Sequence, residues 1–201
     1  MAKEVMGAQM LLGLLAEDKL PKELYPYVEE LISKNANASV RMQASGYFKS
    51  KKGVEEYSIP DIVKLKADVN SGKKLFEKNC ATCHRVKETG TEIGPDLTSI
   101  KNKFDRNTLL EAIINPDAGI VFGYEPWTIS LTDGQSFFGF LVADGERTVT
   151  IKDLTGNKHV IETSRIRSRK KQEKSLMPAP DGLGLKEQDL VDLSEYLLTV
   201  K

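Results

Sequence analysis

Cys80-Ala81-Thr82-Cys83-His84 is the stretch on which the reading of this 201-residue chain turns. In the C-x-x-C-H spacing, two thiols can form thioethers to the vinyl groups of a c-type haem. The histidine beside them falls under the ring, where a neutral imidazole binds iron. Two other chemistries use closely spaced cysteines. Structural zinc needs about four Cys or His ligands, and Cys80, Cys83, His84 and His159 are the whole supply. A thioredoxin-like pair sits where a strand opens into a helix, whereas this motif comes after a helical segment at residues 71–79. The motif therefore predicts one haem c, attached through Cys80 and Cys83, with His84 as an axial ligand.

Composition sets the outer bounds. With 40% hydrophobic and 29% charged residues the chain can bury a core. Lys plus Arg equals Asp plus Glu, a formal net charge of zero. No whole-chain attraction to nucleic acid is expected. The longest apolar run, Met10-Leu11-Leu12-Gly13-Leu14-Leu15-Ala16, falls far short of the ~20 residues that span a membrane. Met1-Ala2-Lys3-Glu4 does not open a secretory leader, yet haem c is attached outside the cytoplasmic membrane. The expectation is a periplasmic or otherwise exported protein, seen as a mature form or as a piece of a longer chain.

Three compositions succeed one another. Residues 1–58 read as helices, with Met6, Met10, Leu11, Leu14 and Leu15 as one apolar stripe and Leu24, Tyr27, Val28, Leu31 and Ile32 as a second. A third helix starts at Ala38-Ser39. From Leu24 through Val40-Arg41 to Ala44 this segment resembles one HEAT repeat, either the tail of a helical array or a helical cap on the haem-binding region. From Ile59-Pro60 a second composition begins. Asn70 or Ser71 is expected to cap a helix carrying Gly72, Leu75 and Phe76 into Cys80. Ile93-Gly94-Pro95-Asp96-Leu97 then leads to a helix at residues 105–114 that stops at Asn115-Pro116. The same composition returns with Ser175-Leu176-Met177-Pro178 and a Leu-rich helix at residues 186–199.

Taken together, the Gly-x-x-x-Phe-x-x-x-Cys-x-x-Cys-His helix, the Gly-Pro-x-Leu loop, the Met-Pro loop and a final helix with Tyr196 resemble the class I cytochrome c pattern. The resemblance implies that the helices before the motif and at the C-terminus cross, with Gly72 and Phe76 against Leu193, Tyr196 and Leu197. It implies that the Pro95 carbonyl accepts the proton on the second nitrogen of His84, and that Met177 is the sixth iron ligand. Met1, Met6, Met10 and Met42 precede the haem helix and are misplaced for that role. His159 is the rival ligand, and its place beside Gly156-Asn157 reads as a solvated hairpin.

The third composition interrupts the second. Residues 120–171 alternate apolar and polar positions, with Asp133-Gly134, Asp144-Gly145 and Gly156-Asn157 as turns. About five short strands predict a small antiparallel barrel of SH3-like or Sm-like type. The fold class is thus α+β: an N-terminal helical segment (1–58), a mostly helical cytochrome c fold in two parts (59–119 and 172–201), and a β-barrel insert (120–171). The arrangement resembles the haem-binding domain of Pirellula/Verrucomicrobium type, on Gly94-Pro95-Asp96-Leu97, Ile114-Asn115-Pro116, Gly123-Tyr124-Glu125, Leu131-Thr132-Asp133-Gly134 and Ser175-Leu176-Met177-Pro178. In that family the domain often lies after a propeller resembling a sugar dehydrogenase.

Arg165, Arg167, Arg169, Lys170, Lys171 and Lys174 form the one basic cluster, read either as a solvated strand end or as a docking patch near a haem edge. Two function classes are open. A His84/Met177 haem with no open position relays electrons between a dehydrogenase donor and a cytochrome or oxidase acceptor. A displaceable sixth ligand would instead suit a gas sensor or a peroxidase-like enzyme. No evident distal acid–base pair supports the second.

Overall fold

The computed structural model describes residues 5–48 and 57–200. Met1 and residues 49–56 lie outside that range, and so does the Met6 side chain of the first apolar stripe. In chain order, helices α1 (Val5–Ala16), α2 (Tyr25–Ser33), α3 (Ala38–Phe48), α4 (Ile59–Ile62) and α5 (Val69–Asn79) precede a small hairpin, β1 (Arg85–Val86) and β2 (Thr89–Gly90). Helix α6 (Arg106–Ile114) leads to strands β3 (Pro126–Leu131), β4 (Ser136–Asp144), β5 (Thr148–Asp153), β6 (Lys158–Glu162) and β7 (Ile166–Lys171). Helices α7 (Pro180–Leu183) and α8 (Glu187–Thr199) close the chain. Two compact units result: residues 1–48 with 120–177, and residues 49–119 with 178–201.

In the first unit, five strands pair antiparallel in the order β6-β5-β4-β3-β7. The expected closed barrel is not formed, because β6 and β7 stand at opposite edges and do not pair. The sheet is nevertheless strongly curled. Four strand spacings amount to about 19 Å across a flat sheet, whereas the chain from Glu162 to Ile166 can span only about 14 Å. Register shifts at Ser130/Leu131 and Leu141/Ala143 supply the bends. The concave side gathers Ile129, Leu131, Phe137, Val149, Ile151 and Ile161 into one buried cluster, with Trp127, Leu141 and Ile166 at its margin.

Strand β4 is buried on both faces, with Phe138 and Phe140 pointing away from that cluster. Helix α1 covers Phe138, and the Tyr124 ring packs 5.5 Å from that of Phe140. Gly13 lies on the sheet, where a Cβ would stand 3.8 Å from Phe138 Cβ and from the Thr128 side chain. The buried face of α1 is Ala8, Leu12 and Leu15, while Met10 is exposed, so the apolar stripe is rotated from the one the sequence suggests. On α2 only Val28 and Ile32 of the second stripe are buried, and Leu24, Tyr27 and Leu31 are exposed. Gln172 still belongs to the sheet: its N–H donates to Pro126 O at 2.8 Å and its amide donates to Thr128 Oγ1 at 3.1 Å.

The second unit is built on the crossing of α5 and α8. Asp68, not Asn70 or Ser71, caps α5, its Oδ1 accepting from the N–H groups of Asn70 (2.8 Å) and Ser71 (3.2 Å). The Asp68 N–H in turn donates to Oδ1 of the buried Asp192 at 2.9 Å. At the crossing the backbones nearly touch, since a Cβ on Gly72 would lie 2.0 Å from Asp192 O. One turn on, fully buried Phe76 packs its ring 5.7 Å from that of Tyr196. Helix α6, capped by Asp105 onto the Thr108 N–H at 2.8 Å, buries Leu109, Leu110 and Ile113 and joins α8 through an Arg106–Glu195 ion pair.

The crossing leaves no room for a methyl group. Gly72→Ala should destabilise the second unit by about 1–3 kcal/mol or more, because the obstructing atoms are backbone. Gly119→Ala, where nothing lies within 4 Å, should stay within about 0.5 kcal/mol of the native protein. Denaturant melts of both variants check this, and equal stabilities would contradict it.

Candidate functional site

Helix α5 delivers the motif and a tight turn presents it. The Cys80 N–H donates to Phe76 O at 2.8 Å, and the N–H groups of Cys83 (3.0 Å) and His84 (2.8 Å) both return to Cys80 O. The two cysteines therefore ride one turn, neither of them in a disulfide. Burial, with Cys83 close by, pushes the Cys80 thiol up to about 12. That is the opposite of the lowered value a redox-active C-x-x-C needs. Among the described residues no cluster of three or more His, Cys, Asp or Glu side chains could hold a metal ion, so a structural zinc site lacks its donors.

His84 sits inside a fold of its own loop. Its Nδ1 is 2.8 Å from Pro95 O. Because a carbonyl can only accept, Nδ1 carries the proton and the Nε2 lone pair is left for a metal. Burial lowers the imidazole below its ordinary range against the opposing pull of Pro95 O, which favours the neutral ring. Gly94 is a glycine for a local reason: a Cβ there would stand 2.9 Å from His84 Cε1. The residues present fit a C-x-x-C-H haem site, with two thiols on one turn and an oriented neutral imidazole directly after them.

Of the sequence-predicted residues, Cys80, Cys83, His84 and Pro95 thus come together in the second unit. Met177 is the last residue of the first unit; its N–H donates to Ser175 Oγ at 3.1 Å. His159 does belong to the β5–β6 hairpin but is only partly solvated. It lies in β6 with its Nε2 2.7 Å from Asp153 Oδ2 and its ring 4.9 Å from that of Phe137. The acid–base grouping around the loop, Arg85 with Glu92 and Asp96, has no periodicity and is not legible in the sequence. Charges bracketing a Gly-Pro step right after the motif are its one available signal.

The cytochrome c family matches residues 69–127 of the chain. A "Cytochrome c-553-like" protein of Synechocystis is 25% identical over 68 residues, which is 34% of this chain and 64% of that protein. The chain spans less than two-thirds of that relative's length. Residues 69–127 are a cytochrome c domain. Its cofactor is a c-type haem held covalently through Cys80 and Cys83. The match takes in α5, the motif, the Gly94-Pro95 loop and α6, and haem-based electron transfer is the chemistry it points to. No helix among the described residues is long and apolar enough to cross a membrane.

Asp96 gives this domain an acid limit. Hydrogen bonds from the Thr98 hydroxyl and N–H, then the Arg85 guanidinium, hold its carboxyl down at about 2, against an ordinary value of about 3.9. A depressed carboxylate contributes stability above its unfolded pKa and loses it as pH falls through the folded one. The stability difference between native protein and Asp96→Asn should therefore be constant above about pH 4 and vanish towards about pH 2. Denaturant titrations across that range measure it, and a difference independent of pH would contradict the assignment.

Proposed function

We propose that this protein relays single electrons through one haem c whose iron is bound by His84 and Met177. The observation that carries the reading is the half-buried His84 imidazole directly after the thiol pair, held through Nδ1 by Pro95 O. When bound, the haem supplies the one-electron couple. The chain supplies the setting. Pro95 O fixes the His84 tautomer and raises the ring's basicity, and Cys80 and Cys83 tether the group against loss. Met177, at a Met-Pro step before the C-terminal helices, is the thioether of the expected loop. Such a ligand favours the reduced state and closes the sixth position to small molecules.

The rival sixth ligand is already engaged, since Asp153 and Phe137 hold the His159 ring. That commitment also argues against a sensor or peroxidase built on His159. In our reading, residues 59–119 and 172–201 form the cytochrome c domain of Pirellula/Verrucomicrobium type, interrupted by the sheet, with HEAT-like helices before it. The setting is periplasmic or otherwise exported. A dehydrogenase donates electrons and a cytochrome or oxidase accepts them. The basic run steers less than its composition suggests. Arg165, Arg169 and Lys171 are paired with Asp133, Asp144 and Glu125, so half of its six cations are locally neutralised, and exposed pairs of this kind are screened by salt.

Met177→Ala tests the reading. The reduction potential should fall and the ferric spectrum should turn from low-spin to high-spin or water-ligated. An unchanged spectrum and potential would move the sixth ligand elsewhere.

A further inference from the structure

The side chain next to His84 in the chain ties down the loop that holds His84. Arg85 Nε and Nη2 both donate to Asp96 Oδ2, at 2.9 and 2.7 Å, and Nη1 pairs with Glu92. Glu92 and Asp96 bracket Ile93-Gly94-Pro95. Within that bracket the Gly94 N–H donates to Cys83 O at 2.6 Å and Pro95 O accepts from His84. The bracket is itself fixed: Asp96 Oδ1 accepts from the Thr98 N–H at 2.7 Å, and the Leu97 N–H donates to Arg85 O at 2.8 Å. On the opposite side the Lys87 N–H donates to Thr98 Oγ1 at 2.7 Å.

We propose that Arg85 is a positioning residue that, by clasping Glu92 and Asp96 on either side of Gly94-Pro95, sets the Pro95 carbonyl against the His84 ring and so tunes the haem potential. This rests on His84 being the iron ligand. A guanidinium is required because two of its N–H groups serve one carboxylate while a third nitrogen reaches another. A lysine ammonium, a single point charge on a flexible stem, cannot hold both at these separations. Since the Asp96 carboxyl is held down first by Thr98, the Arg85 arm of the clasp is not there for stability. Its side chains are 42% (Arg85), 63% (Glu92) and 37% (Asp96) exposed, and exposed ion pairs contribute little to folding. What they fix is the position of one oxygen. A firm hydrogen bond from Nδ1–H makes the imidazole a stronger donor to iron and favours the oxidised state. A slackened one favours the reduced state.

Arg85→Lys separates geometry from charge, because the charge is kept and the fork is lost. The haem-loaded variant should keep a near-native melting temperature, show a higher reduction potential, and exchange its His84 Nδ1 proton with solvent severalfold faster by NMR. Glu92→Gln should also speed that exchange, to a smaller extent, and covers the case of a poorly folding Arg85 variant. Native exchange and native potential in Arg85→Lys, or unaltered exchange in Glu92→Gln if only that variant folds, would overturn the proposal. Failure of the underlying ligand reading looks different: the His84 ring resonances of the native ferric protein would then lack paramagnetic shifts.

Discussion

The proton on Nδ1 of His84 needs a fixed acceptor, and in this protein that requirement shapes the whole loop after the motif. His84 is half-buried, and the acceptor the chain gives its Nδ1 is the Pro95 carbonyl at 2.8 Å. Bringing that carbonyl in forces the chain to fold back over the motif. The reversal runs through the β1–β2 hairpin, where Gly90 adopts φ +104° and passes so close to His84 O that a Cβ would lie 2.0 Å from it. The second close approach, at Gly94, has the same cause. Two glycines, a proline carbonyl and a histidine tautomer are one arrangement.

The sheet-bearing unit answers a different constraint. A strand with phenylalanines on both faces cannot lie at a surface. Phe137 faces the concave cluster, while Phe138 and Phe140 need a cover of their own. Helix α1, more than a hundred residues earlier in the chain, covers Phe138 at Gly13, and Tyr124 and Lys152 lie against Phe140. Curling closes the other side. The three-residue turn Thr163–Arg165 is too short to cross a flat sheet, so bulges in β3 and β4 bend the strands around the Ile129–Ile151 cluster.

The haem motif and the helix that carries it are legible in the sequence because each depends on local spacing or on residue types with a single use. The Gly72 crossing is expected only from the resemblance to class I cytochromes c. The strands are legible from alternation and from the Asp-Gly turns. The hidden features are those that only tertiary contact decides. Which face of α1 is buried cannot be read from a helix apolar on nearly every side. Asp68 outcompetes Asn70 and Ser71 as the α5 cap because its carboxylate reaches two N–H groups at once and its own N–H is taken by Asp192. His159 resembles a turn residue in sequence, yet Asp153 and Phe137 draw it into the sheet. An open curled sheet and a closed barrel share one alternation pattern. Arg85 is invisible as a clasp because its partners lie seven and eleven residues away with no period.

The most direct test of the account is the absorption spectrum of the haem-loaded protein, oxidised and reduced, before and after addition of carbon monoxide. A haem with both axial positions filled by His84 and Met177 should be low-spin in both states, and its reduced spectrum should not change when carbon monoxide is added. A high-spin ferrous spectrum that converts rapidly to a carbon monoxide complex would contradict an electron relay and show an open iron.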